Sequence, residues 1–173
     1  MYENLSLWDG MVLKRTHYMR DLAPGEATVS GWVSVVRDLG NVKFVVLRDF
    51  TGTVQVTLKK GVVSDQLLEA AGKLNPEDVV TVHGNVVSRG NAPRGLELIP
   101  SKLEVISRSE PSLPIDISGK IESSLDVRLD WRVLDLRRPE VAAVFRVTSK
   151  VVAAMQDYLE RIGFLHVFTP CLM

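Results

Sequence analysis

The sequence predicts a mainly β chain: a five-stranded barrel with one capping helix, then a linker and a C-terminal helical segment that opens an α+β domain. Three observations carry this. Alternations of strand length recur five times before residue 107. A single helical repeat interrupts them, between the third and the fourth. From Pro139 to Gly163 the apolar period becomes three and four residues, that of a long amphipathic helix.

The first strand is "ATVSGWVSVVRD", Ala27 to Asp38, where Val29, Gly31, Val33 and Val35 fall on one side. "NVKFVVLRD" and "TGTVQVTL" follow, joined at "RDFTG" with Asp49 and Gly52 as turn residues. "SDQLLEAAGKL" begins with Ser64 as N-cap and repeats Leu67, Leu68, Ala71 and Leu74 at helical spacing. "EDVVTVHGNVVSR" and "GLELIPSKLEVIS" supply two more strands, separated by a "GNAPRG" loop that Gly90, Pro93 and Gly95 break. Three strands, a helix and two strands is the order of the OB-fold, whose helix plugs one barrel end and whose exposed face binds oligonucleotides. Sandwiches and SH3-like barrels also use five short strands, but neither accounts for a helix at this point. The barrel is assigned to residues 1–106.

Residues 107–123, "SRSEPSLPIDISGKIES", carry prolines, serines and Gly119 without a period, and are expected to be a linker. Residues 124–173 hold "SLDVRLDWRVLDLRRPE" and then a helix opened by Pro139. Its stripe runs through Val141, Val144, Phe145, Thr148, Val151, Val152, Met155 and Leu159; Gly163 ends it, and "FLHVFTP" reads as the start of a strand. That stripe needs more chain or a second copy to cover it, and an isologous pair is the economical answer.

Lys plus Arg and Asp plus Glu both total 21, so any nucleic acid must be held by a local surface, not by a global positive field. The runs "VAAVF" and "FVVL" are far shorter than the roughly 20 residues a membrane span requires. The N-terminus "MYENLSLWDGMVLKR" carries acids where a signal peptide carries bases, and a soluble, cytoplasmic chain without membrane partners is expected. Cys171 stands alone, and His17, His83 and His166 are too scattered for a metal or acid–base site. No phosphate-cradling glycine loop, nucleophile elbow or carboxylate pair is present, so no catalytic residue is assigned.

On the barrel face the candidate base-stacking ring is Phe44, which shares one side of its strand with Val46 and Arg48. Periodicity leaves two readings open: a ring stacked on a base, or a ring in the core. Gln55 alternates with Val54 and Val56 and so points outward, where an amide either reads a base edge or is merely solvated. Arg37 either holds a phosphate or base, or forms a surface ion pair with Asp38 or Asp49. Glu97 sits among apolar neighbours, as an acceptor for a base donor or as ordinary solvated alternation; Trp32 reads as core or rim packing.

Together, "GWVSVVRDLGNVKFVVLRDFTGTVQV" resembles the N-terminal anticodon-binding domain of class II aspartyl-tRNA synthetases, in its order GWV, RDLG, F, RD, G and VQ. "LDVRLDWRVLDLRRPEVAAVFRV" is similar to the hinge and opening of the synthetase catalytic domain, "GFLHVFTP" to the end of its motif 1, and "SEPSLPIDISGK" to the archaeal-type linker. The resemblance implies that Phe44 stacks on the central uracil of the aspartate anticodon, that Gln55 hydrogen-bonds that base, and that Arg37 contacts the same region of the loop. It implies Glu97 as reader of a flanking base, and Pro170 as the motif 1 proline at a dimer interface. The partners implied are tRNA for aspartate, with tRNA for asparagine left open by Ser34 where relatives often carry Trp or His, and a second copy through the C-terminal segment. The full-length family uses ATP and Mg for aspartylation; motifs 2 and 3 do not occur in this sequence, so no cofactor is assigned to the chain and it is expected to be inactive alone. A fragment or truncated form of a synthetase, a stand-alone single-strand-binding OB paralogue and a scaffold built on the 139–162 helix remain the alternatives at this point.

Overall fold

In the structure, a computed structural model that describes residues 14–90 and 92–168, the strands are β1 (Gly25–Asp38), β2 (Val42–Arg48), β3 (Thr53–Lys59), β4 (Val79–Ser88) and β5 (Leu96–Ser107). They close into a barrel in the order β1-β2-β3-β5-β4, all neighbours antiparallel except the β3–β5 pair. This is the OB-fold that the element order predicts. Val29, Val33, Val45, Leu47, Val54, Val56, Leu58, Val80, Val82 and Leu98 fill its interior at 2% exposure or less.

The barrel is plugged from both ends. Helix α1 (Asp65–Gly72) is capped as expected, with the Leu67 N–H donating to Ser64 Oγ at 3.3 Å. It buries Ala71 and, just past its end, Leu74 against the core, while the Cβ position of its Gly72 lies 2.8 Å from Lys43 Nζ at the start of β2. At the other end of β2, Met19 is wholly buried, its methyl beneath Gly31. A short 3-10 turn, Met19–Asp21, holds it there: Met19 N–H donates to Asp49 Oδ2 at 2.9 Å, and Arg94 donates to the Met19 and Arg20 carbonyls at 2.6 and 2.8 Å.

Alternation along β1 fails at one place. Val29, Gly31 and Val33 face the core, but the register with β2 slips between Val33 and Val35, and Val35 is 38% exposed. The extra residue of this β-bulge exchanges the two faces, so Val36 packs on the core instead. The expectation that Val35 continues the buried side is corrected. The same slip turns Arg37 outward.

The chain divides into two compact units, Met1–Pro111 and Ser112–Met173, with the boundary inside the expected 107–123 linker. The first residues of that stretch belong to the barrel unit, because Asp78, wholly buried, accepts from Ser109 N–H and from Arg108 Nη1 at 2.8 and 2.9 Å. In the second unit, α2 (Leu125–Asp130) and α3 (Arg132–Asp135) precede α4 (Pro139–Arg161), whose proline occupies the first turn. The strand expected from "FLHVFTP" does not form over residues 164–168, which make no ladder. Pro170 lies outside the described residues.

Candidate nucleic-acid interface

The outer face of β1, β2, β3 and β5 is built by strand alternation. In β2, Val45 and Leu47 point in, so Phe44, Val46 and Arg48 point out; in β3, Val54, Val56 and Leu58 point in, so Thr53, Gln55, Thr57 and Lys59 point out. The pairing register then sets the rows. One row crosses the sheet as Arg37, Phe44 and Thr57. The next is Val35, Val46, Gln55, Glu97 and Val87. All four barrel candidates therefore share one surface, with Phe44 and Gln55 diagonal neighbours across β2 and β3, a separation aromatic and long side chains span.

Each candidate has a definite setting. Phe44 is half-buried on the outside of the barrel, which removes the core reading for its ring. Gln55 is also half-buried, its Nε2 donating to Thr57 Oγ1 at 3.4 Å. Arg37 is exposed and, among the described residues, has neither of the ion pairs expected for it: Asp38 pairs with Lys43, and Asp49 is taken up by the β2–β3 turn. For Glu97 the structure removes the reading of ordinary solvated alternation. Its carboxylate is only 5% exposed, with Oε1 accepting from Arg89 Nε at 2.8 Å and Oε2 from Thr57 at 2.9 Å, so it is not a solvated strand residue. Its cover comes from Arg89, in the segment after β4, and no alternation within β5 reports that.

Charge on this face differs from the neutral whole. Glu97 is matched by Arg89, and Glu77 by Arg48, whose guanidinium also lies 5.9 Å from the Trp32 ring centroid. Arg37 and Lys59 remain as exposed cations at its margin. Sequence reading passes over Lys59, Thr57 and Arg89; the alternation of β3 places the first two, whereas the register slip and the β4–β5 pairing need coordinates. The β2–β3 turn is closed by side-chain hydrogen bonds: Asp49 Oδ1 accepts from Thr51 N–H and Gly52 N–H at 2.7 and 2.9 Å. Burial alone would raise the Asp49 pKa, but these donors, the Thr51 hydroxyl and Met19 N–H together hold it below the ordinary carboxylate value. Among the described residues no group of three His, Cys, Asp or Glu side chains is placed to hold a metal ion, and no helix is long and apolar enough to cross a membrane.

Residues 27–106 match the family described as an OB-fold nucleic acid binding domain of the tRNA anticodon type, and residues 124–173 match the class II tRNA synthetases for D, K and N. The chain is 46% identical over 157 residues to an aspartate–tRNA(Asp/Asn) ligase of Methanopyrus kandleri, covering 88% of this chain and 36% of the relative. It is 44% identical over 160 residues to an aspartate–tRNA(Asp) ligase of Pyrococcus horikoshii, covering 90% and 36%. A solved asparaginyl-tRNA synthetase of Pyrococcus horikoshii, complexed with asparaginyl-adenylate, superposes with a TM-score of 0.82 at 32% identity over 92% of this chain and 37% of that one. OBody AM1L10, solved bound to hen egg-white lysozyme, matches at 33% identity with a TM-score of 0.51, covering 55% of this chain and 96% of that one. The chain thus spans a little over a third of the length of the curated relatives it matches.

Proposed function

The chain belongs to the class II tRNA synthetases of the aspartyl, lysyl and asparaginyl group and carries their anticodon-binding OB domain, and on that premise we propose that its barrel reads the anticodon of a tRNA for aspartate. The observation that carries this reading is the placement of Phe44 and Gln55 as diagonal neighbours on one half-exposed outer face. An unpaired base splayed from the loop stacks on the Phe44 ring, and the Gln55 amide meets its hydrogen-bonding edge. Arg37 and Lys59 hold the flanking phosphates.

Glu97 acts on this face through its neighbours, since both oxygens are engaged. Class II aspartyl-tRNA synthetases use ATP, and the parent reaction proposed is ATP-dependent attachment of aspartate to the tRNA, with Mg as the accompanying ion. No step of that chemistry is assigned to the described residues. A homodimer is proposed through α4, whose Val144, Val151, Val152 and Met155 are about half or more exposed. A cytoplasmic location is part of the same proposal.

The test is equilibrium binding of the 173-residue chain to an anticodon stem-loop carrying the aspartate anticodon and to loops with the central base replaced. Preference for the central uracil supports the reading. Equal affinity for all loops would leave a generic single-strand binder.

A further inference from the structure

The three side chains behind Gln55 form a directed chain of hydrogen bonds. Arg89 Nε donates to Glu97 Oε1 at 2.8 Å, Thr57 Oγ1 donates to Glu97 Oε2 at 2.9 Å, and Gln55 Nε2 donates to Thr57 Oγ1 at 3.4 Å. Its direction follows from chemistry. An ionised carboxylate only accepts, so the one hydroxyl proton of Thr57 is committed to Glu97, and the Thr57 oxygen is left with lone pairs alone. An amide beside it must then turn its NH2 inward and its carbonyl outward. The guanidinium of Arg89, donating to Glu97 Oε1, holds this 5% exposed carboxylate in place as the acceptor of the Thr57 hydroxyl.

We propose that Thr57, Glu97 and Arg89 are positioning residues that fix the polarity of the Gln55 amide, so that the base on Phe44 is met first by a carbonyl oxygen. This rests on the anticodon reading proposed above and adds a specificity to it. Uracil presents an N–H at N3 and satisfies that oxygen. Cytosine presents a lone pair at the same atom and is rejected, because the amide cannot flip without setting its carbonyl against the Thr57 oxygen. Thr57 also stands directly opposite Phe44 in the β2–β3 ladder, so the relay lies beneath the stacked base.

The experiment measures Kd of the full chain for stem-loops with central uracil and central cytosine, in wild type and in Thr57→Val, Thr57→Ser and Glu97→Gln. Thr57→Val keeps the volume and removes the hydroxyl; the uracil-over-cytosine ratio is expected to fall about tenfold, chiefly because the cytosine loop binds tighter. Damage to the fold would weaken both loops instead. Thr57→Ser is expected to keep the ratio. Glu97→Gln, which can donate as well as accept, is expected to lower it and supplies the same readout should Thr57→Val fail to fold. A wild-type preference for uracil that survives both Thr57→Val and Glu97→Gln overturns the relay and leaves the anticodon reading standing; no preference in wild type overturns both.

Discussion

Single side chains set the limits of this barrel at its two ends. Gly31 has no room for a side chain: a Cβ there would lie 2.4 Å from the Arg48 carbonyl oxygen and 2.6 Å from Met19 Cε. Gly31→Ala is therefore expected to cost about 3 kcal/mol in chemical denaturation through displaced backbone and a displaced plug. Asp49 joins the β2–β3 turn to the Met19 plug, and its pKa is depressed by the donors around it, which more than offset its burial. A carboxylate whose folded pKa lies below its unfolded one stabilises the fold above the unfolded value, 3.8 here, and that contribution is lost as pH falls through the folded value. Thermal melting followed from pH 6 down to about pH 2.5 is expected to show Tm falling below about pH 4, with a shallower fall in Asp49→Asn.

At the scale of elements, the order of strands and helix, the Ser64 cap and the α4 stripe were legible because each rests on local periodicity or a local cap. The β1 bulge was not, since a one-residue slip depends on the partner strand and leaves no mark in β1 itself. It matters for the site, because only the slipped register brings Arg37 beside Phe44. The outward placing of Gln55 was readable from its alternation with Val54 and Val56, and that of Phe44 as one of two alternatives. The burial of Glu97 was not, as its cover is Arg89, from another part of the chain. In the second unit, α2 and α3 are fastened by Asp135, fully buried, which accepts from Arg128 Nε at 2.9 Å and lies 3.5 Å from Arg132 and 3.8 Å from Arg138. The Arg128 hydrogen bond, with the neighbouring arginine charges, lowers its pKa against burial. Asp135→Asn leaves three guanidinium groups around a neutral amide, and amide hydrogen exchange is expected to accelerate over residues 125–136 while the barrel amides keep their protection.

For the molecule as a whole, the barrel unit owns a closed sheet, two plugs and a continuous core, so residues 1–111 alone are expected to unfold cooperatively with a Tm near that of the full chain. Formal net charge is zero, and the interface offers Arg37, Lys59 and the partly neutralised Arg89 as cations. With two or three phosphate contacts, log K against log salt is expected to have a slope of about −2. A much steeper slope would contradict this count of phosphate contacts. The most direct test of base reading by the outer face is Phe44→Ala in the full chain, with stem-loop Kd and Tm measured on the same protein. Weakening of RNA affinity by about 1 to 3 kcal/mol with Tm nearly unchanged is expected. A Tm that drops while the affinity of the folded protein stays as it was would contradict it.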